Sequence, residues 1–159
     1  MHVYLRTSEI RLAEWSEIDF QSKLWKVPGQ RMKMGVEHWV PLSTQALELL
    51  VELQVHQVNK YMFVAGKNKK PMSNGTMLQA LYDLGYRGRA TVHGFRATFS
   101  TIANDSDWNG DYIEAALAHK IQGVRGAYNH SVYLDQRREL MQWYSDYLDG
   151  LRNVPKLYR

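Results

Sequence analysis

Two short β-prone runs, Leu24-Trp25-Lys26-Val27-Pro28 and His38-Trp39-Val40-Pro41-Leu42, stand in a chain whose apolar residues otherwise recur at helical spacing. They flank the polar stretch Gly29-Gln30-Arg31-Met32-Lys33-Met34-Gly35. Runs of this kind separated by a turn-rich segment pair as antiparallel neighbours, so a small sheet is expected here, with Lys33 in or beside its connection. That island limits the fold to a helical body carrying a little sheet.

The surrounding pattern supplies the helices. Leu5, Ile10, Leu12, Ala13 and Trp15 fall at roughly helical spacing, and the pattern stops at Asp19, which reads as the end of a helix. Ser43 has N-cap chemistry for a helix from about Thr44 to Gln54, with Ala46, Leu49, Leu50 and Leu53 on one face. Tyr61 to Val64 is a short apolar run and Gly66 to Pro71 a basic loop. Ser73 is expected to cap a helix carrying Met77, Leu78, Leu81 and Leu84, which Gly85 ends. Further helices are expected near Val92 to Asn104 and around Ile113 to Leu117. Tyr133, Arg137, Leu140, Met141, Tyr144 and Leu148 then trace a long amphipathic one. The expected fold is mainly α with a small antiparallel β-sheet.

At 159 residues the chain fits one domain, and a hydrophobic fraction of 45% is ample for a core. There is no cysteine, which removes disulfides, thiolate zinc sites and cysteine nucleophiles. No stretch approaches the roughly 18 apolar residues of a membrane span, and Met1 to Arg6 lacks the features of a signal peptide. The expectation is a cytoplasmic protein with no membrane partner. A net charge of +4 permits an anionic partner without requiring one. The basic residues gather at Lys23, Lys26, Arg31 and Lys33, at Lys67, Lys69 and Lys70, and around Arg87 and Arg89; each cluster alone is more often a solvated loop.

Arg6, Lys33, His93, Arg96, His119 and Tyr128 together form a kit for attacking a phosphodiester without metal. Two guanidiniums can clamp nonbridging oxygens, because a planar fork matches phosphate geometry and stays charged at working pH. His93 and Arg96 lie three apart, on one face of the helix expected there. Alone, His-x-x-Arg is weak, and a satisfied structural histidine is the commoner case.

Leu5-Arg6-Thr7-Ser8-Glu9-Ile10, the segment from Val92 to Thr101 and Leu117-Ala118-His119-Lys120 resemble three boxes of the tyrosine recombinases, in that family's order. Trp15-Ser16-Glu17-Ile18-Asp19, Arg31 to Met34 with His38 to Ser43, and Ala127-Tyr128-Asn129 look closer still to the prophage and genomic-island integrases of this phage integrase family. The resemblance implies that Arg6 and Arg96 are phosphate-clamping arginines and that Glu9 is the acidic support of the first box. It makes Lys33 the hairpin lysine that protonates the leaving 5′ oxygen, preferred over Lys26 for its spacing to the His38-to-Ser43 run. His93 is given a general-base role, and His119 a hydrogen bond to the scissile phosphate. Tyr128, nine residues after His119, becomes the nucleophile, with Tyr133 as rival. His2, His38, His56 and His130 match none of the catalytic positions and are read as structural or solvent-exposed.

The implied activity is site-specific recombination for integration or excision through a 3′-phosphotyrosyl intermediate, with no cofactor and no metal. The implied partners are double-stranded DNA at attachment sites and further recombinase protomers assembled on it. Residues 1–159 are expected to be the integrase catalytic domain, with the amino-terminal arm-binding and core-binding domains of such enzymes absent. Alternatives are an inactive DNA-binding remnant and a type IB topoisomerase, against which the integrase-like spacing from Arg31 to Ser43 argues. A metal-dependent hydrolase built on His93 and His119 lacks convergent carboxylates.

Overall fold

The computed structural model of the chain describes residues 2–67, 69–119 and 132–152. The sheet forms where the β-prone runs lie. Strand β1 (Ile18–Asp19) pairs with β2 (Leu24–Val27), and β2 with β3 (His38–Pro41), all antiparallel in the order β1-β2-β3. Trp25 stands opposite both Ile18 and Val40. Leu24 and Trp25 point to opposite faces, yet both are buried, so the central strand is covered on both sides there, with Lys26 its one partly exposed residue. A second, two-stranded sheet joins β4 (Val64–Ala65) to β5 (Lys70–Pro71) around the basic loop.

The connection from β2 to β3 begins with a 3-10 turn over Gly29–Arg31. A Cβ at position 29 would lie 2.5 Å from the carbonyl oxygen of Gly35, so only glycine lets the loop close on itself there. Gly35 itself takes φ +69°.

Six helices are placed among the described residues. The first, α1, covers only Thr7–Arg11. The helical pattern expected to run on to Asp19 instead enters a 3-10 turn at Trp15–Glu17 and then β1, because sheet pairing to Leu24 and Trp25 overrides helical spacing. Helix α2 (Thr44–Gln54) has the expected bounds, with the Ser43 hydroxyl accepting from the Ala46 amide at 3.2 Å. Helix α3 (Thr76–Asp83) starts at Gly75 rather than Ser73, whose hydroxyl bonds that of Thr76 instead; Gly85, at φ +86°, follows its end as expected. Helices α4 (Gly94–Asp105), α5 (Gly110–Ala116) and α6 (Leu134–Arg152) complete the body.

The core joins these elements around aromatic rings. Tyr4 stacks on Phe99 of α4 with centroids 3.7 Å apart, and Tyr144 of α6 meets both edge-on at 5.4 and 5.1 Å. Arg6 lies two residues after Tyr4, and Arg96 three before Phe99. Burying those rings against each other therefore brings both arginines to one place.

Candidate active site

Arg6 occupies the N-cap position of α1. Glu9, three residues on and 1% exposed, reaches back with both carboxylate oxygens, one to the Arg6 backbone amide at 2.6 Å and one to Nη1 at 2.9 Å. A buried carboxylate held by an amide and a guanidinium fixes the direction of the arginine, whose side chain remains 24% exposed and so open to a ligand.

Arg96 sits in the first turn of α4 and is buried. Its Nη2 donates to the Leu117 carbonyl at 2.7 Å and lies 3.3 Å from His119 Nε2. The other ring nitrogen of His119 is 2.9 Å from a Glu114 carboxylate oxygen. Glu114 thus orients the imidazole, and the imidazole meets the arginine, in a relay running from α5 to α4. Burial lowers the Arg96 pKa, and the nearby positive charge of Arg6 lowers it further, with Glu9 and Glu114 acting the other way. Arginine nevertheless keeps its charge. The two guanidinium charges are near enough to repel each other, and an anion held by both would relieve the repulsion.

His93 stands at the N-cap of α4, not within the helix as its spacing to Arg96 suggested; its carbonyl accepts from the Arg96 amide at 3.0 Å. It is exposed, and its ring makes no hydrogen bond among the described residues. Lys33 is exposed in the β2-β3 connection, with no ion pair among the described residues. Lys26, its rival, is committed to Asp19 at 2.9 Å and leans over the Trp39 ring. Tyr128 lies outside the described residues. Tyr133 directly precedes α6 at φ +52°, its ring against that of Tyr112 with centroids 4.9 Å apart.

Two residues of this region are not singled out as site residues by sequence reasoning. His38, on β3, has its Nε2 shielded from solvent and without a hydrogen-bond partner among the described residues. Burial pushes its pKa down to about 3, helped by the charges of Arg137, Arg96 and Arg6, while a hydrogen bond to the Ala116 backbone opposes the shift. It is a neutral ring beside the arginine pair. Arg137, 2% exposed on α6, donates from Nε to the Val132 carbonyl at 3.0 Å and from Nη1 to the Trp39 carbonyl at 2.7 Å. It bolts the start of the last helix to β3. An arginine on the apolar face of an otherwise Leu, Met and Tyr stripe was the available signal for Arg137; for His38, it was membership of the run from His38 to Ser43.

The comparisons with known proteins identify the family. The profile described as the phage integrase family matches residues 2–134. The integrase of Shigella phage Sf6 is 44% identical over 150 residues, covering 91% of this chain and 39% of that protein. Prophage integrase IntS of Escherichia coli gives the same figures, 44% over 150 residues, 91% and 39%. Prophage integrase IntZ of Escherichia coli is 42% identical over 149 residues, covering 92% and 37%. A mainly helical body with a small antiparallel sheet, together with the family match, is the architecture of a tyrosine recombinase catalytic core. The chain belongs to the phage integrase family. It spans about two fifths of the length of these relatives.

Proposed function

We propose that this chain cuts and rejoins double-stranded DNA at attachment sites, carrying out site-specific recombination for integration or excision. The observation that carries the reading is the convergence of Arg6 and Arg96, the first held by Glu9 and the second bonded to His119. Two guanidiniums near each other suit the nonbridging oxygens of a phosphodiester, whose charge grows as phosphorus is attacked.

In this reading the Tyr128 phenol attacks phosphorus and loses its proton to His93. An unperturbed phenol has a pKa near ~10, so the base and the adjacent guanidiniums both assist. His119 hydrogen-bonds the phosphate, Lys33 gives a proton to the departing 5′ oxygen, and a 3′-phosphotyrosyl linkage and a free 5′-hydroxyl result. A 5′-hydroxyl from another strand reverses these steps, displacing the tyrosine and restoring the phosphodiester. The linkage conserves the bond energy, so the cycle consumes no ATP and calls on no metal. Further recombinase protomers on the same DNA supply the second strand, and the setting is the cytoplasm; no helix among the described residues is long and apolar enough to cross a membrane.

The test is a nicked suicide duplex carrying the attachment site of the element that encodes the chain. Wild type should form a denaturant-stable adduct. Tyr128→Phe should bind the duplex and form none. A peptide map placing the DNA on Tyr133 would overturn the nucleophile assignment, and bound but uncleaved DNA with wild type would favour the binding remnant. Relaxation of supercoiled plasmid without exchange would favour the topoisomerase.

A further inference from the structure

The carboxylate of Glu17 is a junction. It closes the 3-10 turn before β1, with one oxygen accepting from the Glu14 amide at 3.0 Å, while the other accepts from Trp25 Nε1 at 2.9 Å and from Arg31 Nη2. The Arg31 and Glu17 side chains are 13% and 9% exposed, so this ion pair is largely withdrawn from water. Arg31 Nη1 donates to the carbonyl of Leu12, the residue that ends α1. One guanidinium therefore ties the β2-β3 connection to the sheet and, separately, to the helix whose N-cap is Arg6.

Withdrawing a charge pair from water costs about as much as the attraction returns, so stability alone is a poor reason for such a pair. Its yield is geometry. Beyond Arg31 the chain buries Met32, then turns outward at Lys33 and Met34, while Gly29 and Gly35 close the base of the loop. Lys33 has no ion pair of its own among the described residues. The nearest anchored side chain before it is Arg31, two residues earlier.

We propose that Arg31 is a positioning residue that sets Lys33 relative to the Arg6 clamp, by spanning Glu17 and the Leu12 carbonyl. The inference rests on the reading of Lys33 as proton donor to the leaving oxygen. Misplacing a catalytic group by about an ångström can cost on the order of a hundred-fold in rate. A lysine at position 31 carries the charge but not the planar fork, and cannot hold two acceptors in fixed directions.

Single-turnover cleavage of the nicked duplex decides the matter, using an ordinary bridging 5′ oxygen or a bridging 5′ sulfur, whose low basicity lets it leave unprotonated. With oxygen, Lys33→Ala should lose roughly a hundred- to ten-thousand-fold. Arg31→Ala should lose roughly ten- to a hundred-fold, and Arg31→Lys less. With sulfur, all three should return to within a few-fold of wild type, and the Arg31→Ala/Lys33→Ala double variant should be no slower than Lys33→Ala on either substrate. A fold defect or a lost DNA contact would persist with sulfur. Arg31→Ala remaining slow on sulfur while Lys33→Ala recovers, or defects that multiply in the double variant, would overturn the proposal. If sulfur rescues neither, the proton-donor reading fails, and non-additivity of the two oxygen defects still decides whether Arg31 acts through Lys33. Arg31→Lys, which keeps a cation beside Glu17, retains the test should Arg31→Ala fold poorly.

Discussion

His38 shows how a residue can be governed by its neighbours without joining the chemistry. Its pKa falls from the ordinary 6.5 to about 3, first through burial and then through Arg137, Arg96 and Arg6. The sign follows from linkage. Above pH 6.5 the ring is neutral folded and unfolded, and costs nothing. Below 6.5 the unfolded chain takes up a proton that the folded chain refuses until about pH 3, so stability is lost as pH falls through that window, by up to about 1.4 kcal/mol per pH unit. His38→Gln should remove this component: between pH 7 and 4.5 the wild type should lose stability faster than the variant in denaturant titrations. Parallel curves would show that the ring titrates freely. Sequence alone marks the position as structural or solvent-exposed, because the burial and the arginine neighbours come from elements far apart in the chain. By contrast, the support of Arg6 by Glu9 is implied by the family resemblance, and the ion pair that forms lies within one helical turn.

Elements are legible where local chemistry and packing agree. Helix α2 is the clear instance, with cap, periodicity and bounds coinciding at Ser43 and Thr44 to Gln54. The spacing misleads past Arg11 because Trp15 and Ile18 serve the core equally from a turn and a strand, which periodicity alone does not tell apart. Ser73 misleads as a cap because a hydroxyl near a helix start can bond a side chain instead of an amide. The cap that does form gives a prediction. The Ser43 hydroxyl accepts from the Ala46 amide and also from the buried Ser145 hydroxyl at 2.8 Å, so Ser43→Ala deprives two donors at once. It should cost about 1–2 kcal/mol, read as a lower denaturation midpoint at unchanged slope. A loss no larger than that of an exposed Ser-to-Ala change, for instance at Ser22, would contradict this.

For the whole molecule, the proposed DNA partner raises the question of which cations would meet it, since a net charge of only +4 cannot answer it. Outside the proposed clamp, several basic side chains are already committed: Lys26 to Asp19, Arg31 to Glu17 and Lys60 to Glu14. Arg87 and Arg89 lie over the rings of Tyr82 and Tyr86, still with exposed charges. Lys67, Lys69 and Lys70, around the β4-β5 turn, are exposed and have no ion pair among the described residues. A cation already neutralised by a carboxylate releases little when it approaches a phosphate, whereas a free one displaces a condensed counterion, and each such contact adds about −0.9 to the slope of log affinity against log salt. Replacing Lys67, Lys69 and Lys70 by Gln should therefore flatten the salt dependence of duplex binding by about 0.9 for each lysine in phosphate contact, and weaken binding most at low salt. Lys60→Gln, which removes a charge held 2.8 Å from Glu14, should leave the slope nearly unchanged. Both proteins lose positive charge, so a general field effect would flatten both in proportion to the charge removed. Equal flattening per lysine would place the DNA contact elsewhere on the molecule, whereas a change confined to the β4-β5 variant would assign that turn to the DNA backbone.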